Sequence, residues 1–162
     1  MPVEKKRLIQ IMETKQNVAL MPGGVSEMMW CVPRSKAINV SIKHKGFVRV
    51  AIQQGYDLVP VFLFHSNDHY DNPFRDIQQW TYDKIGVPIG IPWFVNRWRF
   101  PVSNRNPVRV AIGKRLKVKQ KQSPSLGEVD ELHRLFYEEV ARIFNQYKDE
   151  FGYGDRTLTY VV

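Results

Sequence analysis

Apolar residues recur along the first half of the chain with helical spacing in some segments and with alternating spacing in others. A spacing of three or four residues predicts a helix, strict alternation predicts a half-buried strand, and a short apolar run predicts a buried strand. In chain order these patterns predict a helix over Glu4 to Lys15, a buried strand over Asn17 to Met21, a strand over Ala37 to Ile42, a helix over Lys43 to Gln54 and a buried strand over Asp57 to Phe64. Gly55 is placed to end the second helix, and Pro60 indicates a bulge or a sheet edge within the last strand.

The second half of the chain is irregular before it becomes regular again. A polar loop is predicted from His65 to Arg75, one or two helical turns from Asp76 to Ile85, and a strand from Pro107 to Val118. The clearest element follows Ser125 and Glu128, whose spacing is that of a capping box. A long amphipathic helix is predicted from there towards Gly152, with an apolar stripe of Val129, Leu132, Leu135, Phe136, Val140, Ile143, Phe144 and Tyr147.

This alternation of helices and strands predicts an α/β layered domain with a central, mostly parallel or mixed sheet flanked by helices. The 162 residues fit one domain, residues 1–162, without an internal repeat. Apolar residues make up 43% of the chain, which is typical of a folded protein. No apolar run reaches the length of a membrane span, and Cys31 is the single cysteine, so an internal disulfide is excluded.

The net charge of +8 favours anionic partners. Nucleic acid, an acidic membrane surface and a phosphorylated cosubstrate all fit, and charge alone does not choose among them. The basic run from Lys114 to Lys121 is typical of a solvated strand end, or of a segment attracted to anionic lipid headgroups or CoA phosphates. The stretch from Trp93 to Phe100 interleaves aromatic residues with arginines, which suits a core, a membrane interface or the stacking of bases.

The turn after the second predicted element combines two glycines with a carboxylate. Met21-Pro22-Gly23-Gly24-Val25-Ser26-Glu27 places Gly23 and Gly24 where the chain can adopt unusual backbone angles and let another group approach closely. Glu27 then puts a carboxylate beside the turn, where it can position a hydroxyl or a basic group. An ordinary turn, in which the glycines serve geometry alone, explains the same residues about as well.

Several motifs in order resemble one enzyme family. They are Met21-Pro22-Gly23-Gly24-Val25-Ser26-Glu27-Met28, His44-Lys45-Gly46-Phe47-Val48-Arg49-Val50-Ala51, Gly55-Tyr56-Asp57-Leu58-Val59-Pro60-Val61, Phe136-Tyr137-Glu138-Glu139-Val140 and Tyr147-Lys148-Asp149-Glu150-Phe151-Gly152-Tyr153. From about Asn17 to about Leu158 the chain resembles the C-terminal part of the diacylglycerol acyltransferase type 2 family, which includes monoacylglycerol and wax-ester acyltransferases. The resemblance implies a glycerolipid-acyltransferase-like α/β fold.

The resemblance also implies an activity and its partners. The activity is transfer of an acyl group from acyl-CoA, as a cosubstrate and without a further cofactor, to a glyceride or alcohol hydroxyl in neutral-lipid synthesis. It implies an anionic membrane surface as a partner and a location on the cytoplasmic side of a membrane, the endoplasmic reticulum in a eukaryote. The residues that it implies for substrate binding are Gly23, Gly24, Glu27, Lys45, Gly46, Pro60 and Asn67.

The chain departs from the family in the motif that carries catalysis. That family uses His-x-x-x-x-Asp upstream of the Gly-Gly block, with the histidine as general base on the acceptor hydroxyl. The residues five positions after the histidines here are Arg49, Tyr70, Phe74 and Glu138, and none of the histidines precedes Gly23. No catalytic residue is therefore assigned, and we expect an incomplete domain, inactive alone, that lacks the family's N-terminal membrane anchor.

The loop at His65 departs from the family as well. The family usually has Phe-Gly-Glu-Asn there, so His65 and Ser66 replace the glycine and the glutamate, while Asn67 matches. His65 and His69 have a spacing that can hold a metal on a helix, but the residues between them favour a turn, so no metal site is predicted. Two alternatives to the enzyme remain: a non-catalytic lipid-binding or regulatory domain, and a nucleic-acid-binding domain. The resemblance favours the lipid alternatives, and we expect no nucleic-acid partner.

Overall fold

Helices and short strands alternate along the chain, as the apolar spacing predicts. The computed structural model describes residues 5–24, 27, 32–69, 71, 74–86, 100 and 106–161. Within these residues the elements are α1 (Lys5–Glu13), β1 (Ala37–Ser41), α2 (Gly46–Gln54), β2 (Val61–Phe64), a 3₁₀ turn (Ser66–Asp68), α3 (Arg75–Ile85), β3 (Arg109–Ile112), α4 (Leu126–Tyr147) and β4 (Thr157–Val161).

In the described residues the strands pair in two separate two-stranded sheets. β1 and β4 run parallel, with Ala37 opposite Thr157, whereas β2 and β3 run antiparallel, with Val61 opposite Ile112. The α/β class is confirmed, but in the described part of the chain the strands do not join into one central sheet. β4 is an element that the sequence interpretation missed, although Thr157 to Tyr160 alternates polar and apolar residues after a glycine-containing turn.

The long helix α4 organises the main core. Its N-terminus has the predicted capping box, in which the Ser125 hydroxyl accepts from the Glu128 N–H and the Glu128 carboxylate accepts from the Ser125 N–H. The buried face of α4 packs on both sheets around Ile38, Phe64, Ala111, Ile143, Phe144 and Tyr153. Gly113 allows the close approach, because a β-carbon there would lie 2.5 Å from Cδ1 of Ile143.

The predicted first two helices are confirmed, with shorter bounds. In α1, Leu8 and Met12 pack on Val50 of α2, whereas Ile11 is exposed. Gly55 ends α2 in the left-handed conformation, with φ of 70° and its N–H bonded to the helix's last carbonyls. α3 is also confirmed, and at Arg75–Ile85 it is longer than expected.

The buried strand predicted over Asn17 to Met21 is wrong. Residues 16–21 adopt no regular structure, and Met21 is 88% exposed. No described strand lies beside this segment to complete its hydrogen bonds, and a short apolar run alone cannot form a strand without such a neighbour.

The strands β2 and β3 expose a face that their sequence places inside. Val61 and Leu63 of β2, and Val110 and Ile112 of β3, are exposed, whereas Phe64 and Ala111 face α4. The prediction of a fully buried strand up to Phe64 is therefore only half right. Two features of the sequence lie outside the described residues. They are residues 93–99 of the aromatic-basic stretch, and Cys31. Among the described helices, none is both long and apolar enough to cross a bilayer.

Candidate functional site

The two glycines of the Gly-Gly turn have different surroundings. Gly23 is buried, and the Glu27 side chain lies directly on its α-carbon: a β-carbon added at Gly23 would collide with the Glu27 carboxylate and lie 2.5 Å from its Cβ. Gly24 has φ of 61°, and a β-carbon there would meet no atom of the described residues beyond its chain neighbours within 4 Å. Gly23 therefore provides room for the carboxylate, and Gly24 provides the backbone angle that turns the chain.

Among the residues that the structure describes, one backbone donor holds the Glu27 carboxylate. Ser41, the last residue of β1, donates its N–H to Oε2 of Glu27 at 2.9 Å, and Glu27 donates its own N–H to the Gly23 carbonyl at 3.3 Å. Burial raises the pKa of Glu27, and the bond from Ser41 opposes that effect only in part. No cation in the described part of the chain pairs with this carboxylate. Its remaining acceptor positions can therefore receive a hydroxyl or a basic group.

Tyr137 of α4 lies close to this carboxylate and contacts the same residue of β1. Its hydroxyl donates to the Ser41 carbonyl at 2.9 Å, so the same residue of β1 is bound by both Glu27 and Tyr137. Burial, the nearby Glu27 charge and Tyr160 raise the pKa of Tyr137 to about 12. The hydroxyl therefore stays protonated at neutral pH and acts as a fixed donor. Tyr160 of β4 in turn donates to the Tyr137 carbonyl at 2.7 Å.

His133, one helical turn before Tyr137, is a functional candidate that the sequence interpretation missed. It is 7% exposed, its ring centroid lies 4.8 Å from that of Tyr137, and its Nε2 has no hydrogen-bond partner among the residues described. Burial lowers the pKa of His133, and the positive charge of Lys45 acts in the same direction. His133 does not match the motif His-x-x-x-x-Asp, because the residue five positions after it is Glu138 and not aspartate. Its place on the apolar stripe of α4, four residues after Val129, was the available signal.

The other residues implied by the resemblance lie on separate elements. Lys45 precedes α2 and forms an exposed ion pair with Asp130 at 2.8 Å, and Gly46 is the first residue of that helix. Pro60 is buried before β2, where its carbonyl accepts from the Gly113 N–H at 2.8 Å, and Asn67 lies in the 3₁₀ turn. No hydrogen bond or ion pair among the described residues joins them to Glu27. The structure thus shows direct contact between Gly23 and Glu27 in the turn that also contains Gly24, and it places the other members at the start of α2, before β2 and in the 3₁₀ turn.

The loop at His65 is built around a buried carboxylate. Asp68 is 2% exposed and accepts from the Arg34 N–H at 2.9 Å, from the Tyr153 hydroxyl at 3.1 Å and from Arg156 at 3.0 Å. Burial opposes its ionisation, but these bonds and the one from His65 outweigh burial and lower the pKa of Asp68. These contacts join the loop to the segment before β1 and to the segment after α4.

His65 stands where the family has glycine, and the structure shows how a histidine is accommodated. Its φ is 64°, a conformation that favours glycine. Its ring is fixed on both sides, with Nδ1 3.0 Å from Asp68 and Nε2 2.7 Å from the Phe151 carbonyl. Its N–H also donates to the Tyr153 hydroxyl at 2.7 Å. Both ring nitrogens are thus occupied, and the described residues contain no group of three candidate metal ligands.

A half-buried carboxylate beside a glycine turn, on an α/β scaffold, can orient a hydroxyl or a base. Comparison with known proteins identifies the family to which such a site belongs. The profile of the family described as diacylglycerol acyltransferase matches residues 1–161. The chain belongs to the diacylglycerol acyltransferase family. This confirms the resemblance found in the motifs from the Gly-Gly turn to Tyr153.

Individual relatives agree with that assignment. Diacylglycerol O-acyltransferase 1 of Eremothecium gossypii is 28% identical over 98% of this chain and 37% of its own length. 2-acylglycerol O-acyltransferase 1 of Mus musculus is 32% identical over 80% of the chain and 42% of its own length. Diacylglycerol O-acyltransferase 2 of Xenopus tropicalis is 28% identical over 92% of this chain and 44% of its own length. The chain therefore spans less than half the length of these relatives. No solved structure matches it.

Proposed function

We infer that this chain supplies part of an acyl-transfer site, corresponding to the C-terminal part of the family's enzymes. The reaction is transfer of an acyl group from acyl-CoA to the hydroxyl of a glyceride or another alcohol. Family membership and relatives named as acyltransferases for diacylglycerol and 2-acylglycerol support this reaction class. The identity of the acyl donor and the participation of this chain are the proposal.

One observation carries the proposal: the Glu27 carboxylate is packed on Gly23 in a partly desolvated place, and among the described residues only the Ser41 N–H donates to it. A carboxylate in a turn that served geometry alone would be expected to face water or a cation. Burial without a cation costs stability, and sites of this kind occur where a carboxylate has a partner to orient.

In the reaction, the acceptor's hydroxyl oxygen attacks the thioester carbonyl, a C–O bond forms, and the C–S bond breaks to release CoA thiolate. The hydroxyl proton passes to a general base, which can return it to the departing thiolate. Glu27 serves by orienting the acceptor hydroxyl or the base through a hydrogen bond. The base is expected from a His-x-x-x-x-Asp segment, because none of the four histidines of this chain has the motif's aspartate.

The purified chain is expected to show no acyl transfer on its own. The test is an assay with radiolabelled oleoyl-CoA and diacylglycerol in detergent micelles, with a full-length family enzyme as the positive control. Turnover above background that survives replacement of each histidine in turn would contradict the general-base assignment. Turnover lost in the His133→Gln variant alone would instead identify His133 as the base.

Association with an anionic membrane surface is the second expected result. Besides the net charge of +8, α3 is unusual because its apolar Ile77 and Trp80 are exposed, Trp80 by 62%, whereas Gln78 and Thr81 are buried. An exposed tryptophan beside aliphatic residues suits a membrane interface. Each basic residue near such a surface adds about 1 kcal/mol, screened by salt.

Co-sedimentation with vesicles of phosphatidylcholine, with and without phosphatidylserine, tests this association. The double variant Ile77→Ser, Trp80→Ser should bind anionic vesicles several-fold more weakly than the parent chain. The control Asp76→Ser, Asp83→Ser alters the same helix but removes only negative charge, so its binding should stay equal or increase. Equal binding of the parent to neutral and anionic vesicles would count against the electrostatic part of the proposal.

A further inference from the structure

An open groove lies on the side of α4 where the basic segment crosses the end of α2. Its volume is about 660 Å³, and it runs between residues 117–121 and the first turns of α4. Its floor is aliphatic, made by Ile52, Val118, Leu132 and Leu135. Three lysines at alternate positions, Lys117, Lys119 and Lys121, line it as well. The groove thus offers cationic groups beside an apolar surface.

The backbone of this basic segment is fixed before any ligand arrives. The Val118 N–H donates to the Asp57 carboxylate at 2.7 Å, and the Lys121 N–H donates to the Ile52 carbonyl at 3.0 Å. The Gln120 side chain also donates to the Gln53 carbonyl at 3.1 Å. These bonds tie the segment to the end of α2, so the lysines project from a rigid support and less ordering is required on binding.

The charges of the groove do not cancel. Glu128 is neutralised by Lys121 at 2.8 Å, and Glu131 is bonded to Arg134 at 2.7 Å. Lys117 and Lys119 are exposed, and neither forms an ion pair with any residue that the structure describes. The two acidic residues are thus compensated, and two ammonium groups are left to attract an anion.

We propose that this groove binds an acyl-CoA, with the phosphates of its nucleotide head on Lys117 and Lys119 and the less polar part of the molecule along Leu132 and Leu135. The proposal rests on the acyl-transfer function proposed above, which makes an acyl-CoA the donor. An anionic head joined to an apolar extension matches the groove's two kinds of surface. The lysines and the aliphatic side chains line the same open groove, so one ligand with an anionic head and an apolar part can contact both.

The test is a binding titration of the whole chain with CoA, dephospho-CoA and oleoyl-CoA below its micellar concentration. In the double variant Lys117→Glu, Lys119→Glu, CoA affinity should fall at least tenfold, because two charge-assisted contacts become repulsive. The matched control Lys5→Glu, Lys6→Glu makes the same charge change on exposed positions of α1 and should alter affinity about twofold or less. CoA should bind more tightly than dephospho-CoA, and this preference should be lost in the groove variant only.

A second variant examines the apolar floor. Leu135 is partly exposed, so Leu135→Gln should leave the fold intact while it reduces the preference for oleoyl-CoA over CoA several-fold. Equal losses of CoA binding in the groove and α1 variants would overturn the proposal in favour of a general field effect. Unchanged CoA binding in the groove variant, or loss of anionic-vesicle binding without loss of CoA binding, would overturn it as well.

The same variants separate this inference from the proposed function. They are introduced into the chain joined to an upstream His-x-x-x-x-Asp segment of a family enzyme. Acyl transfer with an unchanged KM for oleoyl-CoA in the groove variant would reject the groove and retain the function. CoA binding that depends on Lys117 and Lys119, in a joined protein without acyl transfer, would retain the groove and reject the function.

Discussion

Replacement of Glu27 with glutamine should lower acyl transfer about 100-fold in a protein whose upstream catalytic segment has been restored. Glutamine has the shape of glutamate and keeps an oxygen for the Ser41 N–H, so the turn should be unchanged. What it loses is the negative charge that orients a hydroxyl or stabilises a protonated base. A misplacement of about 1 Å in a catalytic arrangement can cost roughly 100-fold in rate. The measurement is kcat for the joined protein and its Glu27→Gln variant.

Stability should move in the opposite direction in the same variant. Because burial raises the folded-state pKa of Glu27 above 4.5, the ionised carboxylate is disfavoured in the folded state. The unfolding free energy of the parent therefore falls as pH rises from the unfolded-state pKa through the folded-state pKa, and the penalty then stays constant. Glutamine has no such penalty. Urea unfolding at several pH values should show the variant at least as stable as the parent at pH 7.

Alanine variants of the two glycines of the turn also test whether the position of the Glu27 carboxylate matters for activity. Gly23→Ala places a methyl group against the Glu27 carboxylate and must displace it, so activity should fall about as far as in Glu27→Gln. Gly24→Ala adds a methyl group that meets no described residue beyond its chain neighbours within 4 Å, and it costs about 1 kcal/mol of backbone strain at φ of 61°. Full activity in Glu27→Gln, or equal activity in the two alanine variants, would mean that the turn serves geometry alone.

The parts of the fold that the sequence predicted are those that local interactions determine. The capping box at Ser125, the left-handed Gly55 and the stripe of α4 follow from contacts within a few residues, and all three are present. The short runs that need a distant partner were less predictable. Residues 17–21 are apolar enough for a strand but have no described strand beside them, and β4 depends on pairing with β1 across the whole chain.

In the candidate site, too, contacts between residues close in sequence were predictable, and contacts between distant residues were not. Gly23 and Glu27 are four residues apart, so their contact follows from one turn of chain and was predictable from spacing. Tyr137 reaches the site from a separation of 96 residues in its bond to Ser41, and no local pattern encodes that. Asp68 was assigned to a polar loop because Ser66 to Asp68 is typical of a turn, whereas its partners Tyr153 and Arg156 lie more than 80 residues away.

Replacement of Asp68 with asparagine should cause the largest loss of stability of any substitution considered for this chain. Asp68 is 2% exposed, and Arg156, with 12% of its side chain exposed, depends on it for charge compensation. Asparagine keeps the size, but its amide must present N–H groups to donors from Arg156, Tyr153 or Arg34. Removal of one partner of a buried ion pair costs about 3–5 kcal/mol. For a domain of this size such a loss lowers Tm by roughly 10 °C.

Asp71→Asn provides the control, because it makes the same chemical change three residues later. Asp71 pairs with Arg34 at 2.7 Å, but the Arg34 side chain is 51% exposed, and surface pairs contribute about 0–1 kcal/mol.

The pH dependence of the unfolding free energy adds a second criterion. Because the folded-state pKa of Asp68 is lowered, its contribution is present above the unfolded-state pKa, near 3.8, and is lost as pH falls through the folded value. The parent should therefore lose stability in acid more steeply than Asp68→Asn. Similar unfolding free energies for the Asp68 and Asp71 variants would show that the buried network does not hold the His65 turn to the segment after α4.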